Sequence, residues 1–301
     1  MVIKNFFISL LSLFLLLFPE IAYPGGEVVV VQGLRVAPYE EALQGFKSVC
    51  KAKITRLILT EMEGKEVLGK IKALRPELIL AIGMSGLLRV KSIKKIPIIY
   101  LMTLNPQSIL SEDDHITGIN MNIPQERQLQ LLREALPEVK TAGLLHDPEE
   151  TSYFVQRAQK AALKEGIKLI VREVHNSQEV PSEIKKLKGK IDVFWMLPDI
   201  TVCSPEVIEF FLLFFLENNI PTLTFAKKYV EIGALMSIET DPFDMGKQAG
   251  EMANEVLAGK PVKDIPIVEA RKEKVTINLR IVRKLGIEVN EKFVEKVKVI
   301  K

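Results

Sequence analysis

The sequence predicts an α/β fold: two doubly wound lobes, each with a parallel sheet covered on both faces, joined by a hinge with several crossovers. Three observations support this fold class. Short runs that are apolar throughout alternate with segments of helical periodicity, which is typical of parallel strands buried between helices. The alternation occurs in two successive series along the chain. The length of 301 residues allows two compact units with separate cores.

The first series begins with a Val-rich run at residues 27–32, which predicts a buried strand. Residues 38–51 then place Ala42, Phe46 and Val49 on one face of a predicted helix. Further strands are predicted at 54–59, 78–82 and 97–102, and further helices at 63–74 and 85–93.

The second series begins after Ile116-Thr117-Gly118. Its predicted helices are 124–136, 152–165, 177–187, 205–218, 243–257 and 279–285. Its predicted strands are 141–145, 168–174, 191–197, 221–225, 233–238 and 275–278. Two such series in succession indicate two sheets and not one large sheet.

The N-terminal residues 1–26 have the pattern of a secretory signal peptide. Lys4 precedes an apolar run at 6–18, and Pro19 and Pro24-Gly25-Gly26 follow it. The run is about 13 residues long, whereas about 20 are needed to cross the core of a bilayer. We expect an exported protein that acts in the periplasm or on the extracytoplasmic face. An uncleaved anchor or a buried N-terminal helix are the alternatives.

Charge and composition argue against a nucleic-acid partner. Lys and Arg total 41 against 38 Asp and Glu, so the formal net charge is only +3. These charges alternate along the chain, whereas nucleic-acid binding requires a concentrated basic face.

The cysteines and histidines do not predict a metal site. His115, His146 and His175 are isolated from one another, so no cluster has the spacing of metal ligands. Cys50 and Cys203 are far apart in sequence, and two free thiols are favoured over a disulfide. No cofactor is expected.

Candidate ligand contacts lie just after the predicted strands, because open α/β sheets bind ligands at the carboxyl ends of their strands. Ser85 opens a helix there, where free backbone N–H groups suit a carboxylate. Each such residue is also consistent with a simple helix cap. The predicted ligand-binding residues are Arg35, Met84, Ser85, Thr103, Asn105, Glu150, Ser152, Asp199, Thr201 and Asp241.

The sequence gives no support for catalysis. Residues 83–86 lack the spacing of a dinucleotide or phosphate loop, and there is no nucleophile elbow. The polar groups at 113–115 and 146–147 fall in predicted turns, where polar residues are common. Trp195 and the aromatic run at 210–215 are predicted to belong to the core.

Residues 76–289 resemble ABC transporter substrate-binding proteins of the tryptophan/tyrosine-type uptake group, which have the type I periplasmic-binding fold. The resemblance depends on the order and spacing of many short segments. They are Arg75-Pro-Glu-Leu-Ile-Leu-Ala-Ile-Gly, Ile96-Pro-Ile-Ile-Tyr, Asn105-Pro106, Ile116-Thr-Gly, Leu131-Leu-Arg-Glu-Ala-Leu-Pro-Glu-Val-Lys, Gly143-Leu-Leu-His-Asp-Pro, Leu197-Pro-Asp, Ile220-Pro-Thr, Gly233-Ala-Leu, Gly246-Lys-Gln-Ala and Leu257-Ala-Gly-Lys-Pro.

The resemblance implies a cleft for an amino acid or a related metabolite. Ser85 matches a hydroxyl residue that would contact a ligand carboxylate, and Asp241 matches a polar position suited to an ammonium group. Met84, Asn105 and Ser152 stand where the family usually has Thr, Asp and Asn. Because of these departures an amino acid is expected, but not specifically an aromatic one.

The resemblance also implies how the protein works. Crossovers near Gly118, Met236 and Val268 would form a hinge, and the lobes would close on the ligand. The N-terminal lobe would comprise residues 27–117 and 237–267, and the C-terminal lobe 118–236 and 268–301. A monomer that delivers its ligand to ABC permease subunits is expected. A periplasmic sensor that signals to a membrane receptor is the alternative, and a transcriptional regulator or an enzyme of similar fold has less support.

Overall fold

Two sheets flanked by helices organise residues 26–62, 64–110 and 114–301, the part of the chain that the computed structural model describes. The predicted fold class, an α/β protein with two mostly parallel sheets, is confirmed. The predicted signal segment lies outside the described residues except for Gly26, and so does Asp113. In the described part of the chain, no helix is long and apolar enough to cross a membrane.

The first sheet has six strands in the order β11-β5-β4-β3-β1-β2, and all its pairs are parallel. Its strands are β1 Glu27–Gln32, β2 Lys53–Ile58, β3 Leu78–Ile82, β4 Ile98–Thr103, β5 Ile116–Asn120 and β11 Val268–Glu269. Each residue of β3 is buried, as is every Val of β1. These continuous apolar runs form central strands because helices cover both faces of the sheet.

The second sheet has seven strands in the order β13-β12-β10-β9-β8-β6-β7. Its strands are β6 Thr141–His146, β7 Lys168–Glu173, β8 Val193–Trp195, β9 Thr222–Thr224, β10 Met236–Thr240, β12 Glu273–Asn278 and β13 Lys298–Ile300. The pairs are parallel except for β10 with β12. The predicted core position of Trp195 on β8 is confirmed, since 1% of its surface is exposed.

Helices connect the strands of both sheets. They are α1 Ala37–Val49, α2 Gly64–Leu74, α3 Gly83–Val90, α4 Gln125–Ala135, α5 Pro148–Lys164, α6 Val180–Lys185, α7 Pro205–Glu217, α8 Lys227–Glu231, α9 Pro242–Leu257, α10 Leu279–Leu285 and α11 Glu291–Val294. Single 3-10 turns occur at Leu59–Glu61, Pro106–Ser108 and Val262–Asp264.

The chain passes between the two sheets after Asn120, after Thr240 and after Glu269. The predicted crossovers near Gly118, Met236 and Val268 lie a few residues earlier. Residues 237–240 therefore pair in the seven-stranded sheet, and residues 268–269 in the six-stranded sheet, opposite to the predicted division. The sheet to which a strand belongs is decided by its backbone hydrogen bonds, which the sequence pattern does not predict. We keep two lobes as a proposal and refer to each by its sheet.

Strand β5 is not predicted by the sequence analysis, although all its residues are buried. Its polar side chains find partners far along the chain: the Thr117 hydroxyl donates to the Ile265 carbonyl at 2.8 Å. Asn120 Oδ1 accepts a hydrogen bond from the Tyr100 hydroxyl at 2.9 Å. A segment that is polar in sequence is therefore compatible with the centre of a sheet.

Candidate functional site

A pocket of about 280 Å³ lies between the two sheets. Its walls come from the loops that follow strands β4, β8 and β9, from the end of β10, and from the crossover after β5. This location agrees with the rule that open α/β sheets bind ligands at the carboxyl ends of their strands. Strand order therefore predicts the place of the pocket correctly.

The wall on the side of the six-stranded sheet is apolar and consists of Pro38, Met102 and Leu104. Met102 has a φ of 56°, in the left-handed region that non-glycine residues seldom adopt. The pairing of β4 with β5 shifts register between Tyr100 and Thr103, on either side of Met102. Strain of this kind is concentrated at functional sites and costs about 1–3 kcal/mol.

The wall on the side of the seven-stranded sheet is also apolar, with two aromatic rings. Met196 follows β8, Phe225 follows β9 and Ile238 belongs to β10. Phe154 of α5 packs edge-on against the core residue Trp195, with ring centroids 6.0 Å apart. Apolar and aromatic side chains with a few polar groups are typical of small-molecule pockets.

Two oppositely charged side chains line this pocket. Glu239, on β10, is half-buried, and its carboxylate accepts a long 3.5 Å hydrogen bond from the Ser237 hydroxyl. Lys228, at the start of α8, is exposed, and its ammonium lies 4.7 Å from the centroid of the Tyr229 ring. One acid and one base at the edge of an apolar pocket match the two charges of a zwitterion.

Gln128 of α4 also lines the pocket, and hydrogen bonds to two partners hold its amide. Its Nε2 donates to the Ile123 carbonyl at 2.8 Å, and its Oε1 accepts from Trp195 Nε1 at 3.0 Å. Ile123 belongs to the crossover and Trp195 to β8, so the side chain connects two walls of the pocket.

The predicted residues Asp199 and Thr201 lie in a buried polar cluster with Asp147 and Thr151. Asp199 is 1% exposed, and its carboxylate accepts hydrogen bonds from Asp147 N, Thr151 Oγ1, Thr201 N and Val202 N at 2.7–3.0 Å. The Thr201 hydroxyl donates to Asp147 Oδ2 at 2.8 Å. These hydrogen bonds hold the loops after β6 and β8 together.

The predicted residues on the six-stranded sheet are spread along one edge. The Arg35 guanidinium pairs with Glu61 at 2.7 Å, and the hydrogen bond that it donates to Glu61 raises the pKa of Arg35. Thr103 is fully buried, and its hydroxyl donates to the Leu101 carbonyl at 3.3 Å. Asn105 is exposed and has a φ of 45°. None of these three lines the pocket.

Met84 and Ser85 lie in the first turn of α3, immediately after β3. Ser85 is exposed, and Met84 is half-buried. The turn depends on Gly83, whose φ is 80° and where a Cβ would overlap the Tyr39 hydroxyl. Because β3 neighbours β4, this turn occupies the same edge of the sheet as Met102.

The remaining predicted residues start helices. The Asp241 carboxylate caps α9, accepting from Phe243 N at 3.0 Å, and it lies 3.2 Å from Lys274 Nζ. The Ser152 hydroxyl donates to the Pro148 carbonyl within α5, and Glu150 is exposed.

No predicted ligand residue lines the 280 Å³ pocket, although several are direct sequence neighbours of residues that do. Leu104 lies between Thr103 and Asn105, Pro198 precedes Asp199, and Pro242 follows Asp241. The predicted contacts are mostly polar residues at the strand ends, whereas most of the pocket lining is apolar. Hydrophobic residues placed directly after strands were the signal that could have found it.

A second, wider groove of about 720 Å³ adjoins the pocket and shares Pro38, Glu239, Thr240 and Pro242 with it. Its other walls are strongly charged, with both signs present. Lys274 donates to Glu41 there at 3.0 Å. Phe293 lines this groove, whereas Phe154 and Phe225 line the smaller pocket.

The thiols and the acidic groups of the described residues give no metal centre. Cys50 and Cys203 are both free, as expected. Burial raises the pKa of both thiols, that of Cys203 to about 12, which keeps them protonated and unreactive at neutral pH. Within the described ranges no group of His, Cys, Asp and Glu side chains could hold a metal ion.

Comparisons with known proteins identify a family and relatives of the same fold. Residues 61–300 match the family described as ABC transporter substrate binding protein. The tyrosine-binding protein of Clostridioides difficile (strain R20291) is 28% identical over 193 residues, which is 62% of this chain and 55% of that protein. The chain therefore spans little more than half the length of this curated relative.

Solved structures share the fold at lower identity. The ligand-free, open structure of a substrate binding protein with adhesive properties from Clostridium difficile has a TM-score of 0.74 at 23% identity, covering 92% of this chain and 99% of that one. The structure of an ABC domain in complex with L-Trp from Streptococcus pneumoniae has a TM-score of 0.61 at 24% identity, covering 91% and 100%. A leucine binding protein from Thermotoga maritima has a TM-score of 0.51 at 11% identity, covering 86% of each chain.

Proposed function

The chain belongs to the ABC transporter substrate-binding protein family, and from this premise we propose that it binds an amino acid with an aromatic or large apolar side chain and delivers it to an importer. Members of this family bind a substrate and are not enzymes. The proposal covers the ligand class, the mode of closure and the transport role.

The observation that carries the ligand class is the character of the pocket between the sheets. Phe154 and Phe225, with Met102, Met196 and Ile238, offer a surface that favours an apolar ring. Aromatic side chains bury about 150–250 Å² each, so a ligand ring enclosed here would gain several kcal/mol. A sugar or a polyol would leave its hydroxyl groups without partners against these walls.

The charged ends of an amino acid fit the two charged side chains at the pocket. We assign the ligand ammonium group to Glu239 and its carboxylate to Lys228. Electrostatic attraction strengthens as closure removes water from the site. Glu239 replaces Asp241 in this role, because the Asp241 carboxylate is already engaged as a helix cap and by Lys274.

Closure of the lobes would bring further residues to the ligand. Ser85 lies at the same sheet edge as Met102, so we propose that its hydroxyl and the first turn of α3 approach the ligand only when the lobes close. A ligand that contacts both lobes in the closed form shifts the population towards that form. The closed surface would then be recognised by ABC permease subunits.

The proposed site of action is outside the cytoplasm. The support is the signal-like pattern of residues 1–26, with a basic start, a short apolar run and a Pro-Gly-Gly end. A monomer fits this role.

A thermal-shift screen of the purified protein against the twenty amino acids, with maltose and glycerol as non-zwitterionic controls, tests the ligand class. We expect aromatic amino acids to raise the melting midpoint, because a ligand at a hundredfold excess over its Kd adds about 2.7 kcal/mol of stability. A shift with sugars alone, or with no amino acid, would refute the proposal and leave the fold unaffected.

A further inference from the structure

Gln128 is the polar side chain of the pocket whose orientation is fixed by its surroundings. An indole N–H can only donate and a backbone carbonyl can only accept. Because Trp195 Nε1 contacts Oε1 and the Ile123 carbonyl contacts Nε2, the two ends of the amide cannot be exchanged. The amide is therefore pre-oriented before any ligand enters.

Among the described residues, one N–H donor and one acceptor lone pair of this amide have no hydrogen-bond partner. A glutamine amide has two N–H donors and two acceptor lone pairs. One donor and one lone pair are used, by Ile123 and Trp195. Since Gln128 lines the pocket and is half-buried, the remaining N–H and lone pair are available to a bound ligand.

The position of Gln128 suits the far end of an amino-acid side chain. Its partner Trp195 lies on β8, while Glu239 lies on β10, and β9 separates these two strands. Neighbouring strands are about 4.8 Å apart, so these two points of the wall are separated by roughly 10 Å. Apolar side chains, Met196, Phe225 and Ile238, line the space around this span.

We propose that Gln128 is a specificity-determining residue that hydrogen-bonds a hydroxyl group at the end of the ligand side chain, so that the protein prefers tyrosine to phenylalanine and tryptophan. This inference rests on the proposed function and adds the chemistry of the ligand side chain. A phenol hydroxyl can donate to the unused lone pair of Gln128 Oε1 and accept from the unused N–H of Nε2. An indole offers only a donor, and a phenyl ring offers neither.

Trp195 is a positioning residue in this arrangement. Its buried indole holds the Gln128 carbonyl oxygen, while its ring supports Phe154 on the same wall. Replacement by Phe would keep most of the packing and release the amide. The unliganded pocket would then admit other orientations of Gln128.

The experiment is a calorimetric titration of the purified full chain with L-tyrosine, L-phenylalanine and L-tryptophan. We expect wild-type protein to bind tyrosine about tenfold more tightly than phenylalanine, because a buried polar group left unpaired is costly. Gln128→Met should reduce this ratio to about twofold or less, mainly by weakening tyrosine binding. Gln128→Leu removes both the acceptor and the N–H donors without adding a charge, so it should reduce the ratio as well.

Gln130→Met is the matched control on the same helix, since the Gln130 amide donates to Glu165 at 3.2 Å and does not line the pocket. It should keep the wild-type ratio. Trp195→Phe should reduce the ratio while phenylalanine still binds. If wild type binds tyrosine and phenylalanine equally, or if Gln128→Met and Gln128→Leu keep the ratio, this inference is wrong and the proposed function stands. If no amino acid binds to wild type, the proposed function fails and this inference with it.

Discussion

At the scale of single residues, the cleft contains two kinds of polar side chain. The carboxylates of Asp199, Asp147 and Asp241 accept hydrogen bonds from backbone N–H groups and hydroxyls of the protein itself. Glu239, Lys228 and Gln128 line the pocket and have capacity left for a ligand. The first group holds the loops together, and the second is the group that we propose to contact the ligand.

This distinction predicts the effect of removing Asp199. Asp199→Ala leaves the buried N–H groups of Asp147, Thr201 and Val202 without their acceptor, so the free energy of unfolding should fall by about 3 kcal/mol. Urea denaturation of Asp199→Ala and wild type measures this difference in the free energy of unfolding. Glu150→Ala, at an exposed neighbour, is the control and should change stability by less than about 0.5 kcal/mol. Equal stability of Asp199→Ala and wild type would contradict the structural role.

The sequence predicts the loops of the site better than its side chains. Thr103, Asp199 and Asp241 were selected as polar residues after strands, and each lies next to a lining residue. Whether a carboxylate faces a ligand or a backbone amide depends on partners some 50 residues away, as with Asp199 and Asp147. Local pattern does not contain that information.

At the scale of elements, α1, which follows β1, packs closely against α9, which follows β10. A Cβ at Gly246 would overlap the carbonyl oxygen of Ala42, and one at Gly250 would lie 2.9 Å from the carbonyl oxygen of Phe46. Glycines therefore let the two helix backbones approach each other. Asp241 caps α9, so this contact also lies beside the point where the chain crosses from one sheet to the other.

Gly246→Ala should lower the melting midpoint strongly, with a loss of stability of about 3 kcal/mol or more. The added methyl group would overlap the backbone carbonyl of Ala42, which cannot move aside as a flexible side chain could. Gly69→Ala in α2 is the matched control, since nothing lies within 4 Å of its Cβ position. It should stabilise the protein by up to about 1 kcal/mol. Similar midpoints for the two variants would contradict the packing of α1 on α9.

Most helices and the apolar strands follow from periodicity, as β1 and β3 illustrate. Strand β5, with Thr117 and Asn120, does not, because its polar groups are satisfied by Ile265 and Tyr100. The short edge strands β11 and β13 also depend on pairing with neighbours that sequence does not reveal.

At the scale of the whole molecule, two ion pairs connect elements that belong to different sheets. Lys274 of β12 lies 3.0 Å from Glu41 of α1, and Arg157 of α5 lies 3.1 Å from Glu269 of β11. Burial lowers the pKa of Lys274, and hydrogen bonds to Glu41 and Asp241 raise it by more, so its ammonium group stays charged. Half-exposed pairs contribute little to stability, about 0–1 kcal/mol each. We propose that these two pairs instead restrain the relative position of the lobes.

We expect the double variant Glu41→Gln/Arg157→Gln to have a larger radius of gyration than wild type in small-angle X-ray scattering without ligand. Salt at about 1 M, where the Debye length is about 3 Å, should produce a similar change in wild type. Glu255→Gln, which removes an ion pair with Lys260 on the side of one sheet only, is the control. Scattering that is identical for all three proteins would show that these pairs do not restrain the lobes.

The most direct test of the central claim is a calorimetric titration of wild type and Ala226→Phe with L-tyrosine. Ala226 lines the 280 Å³ pocket and not the adjoining charged groove, so a phenyl ring there fills the proposed ligand site. We expect one ligand per wild-type chain and no measurable binding by Ala226→Phe at a similar melting midpoint. Unchanged affinity in a folded Ala226→Phe protein would contradict this expectation and place the ligand elsewhere.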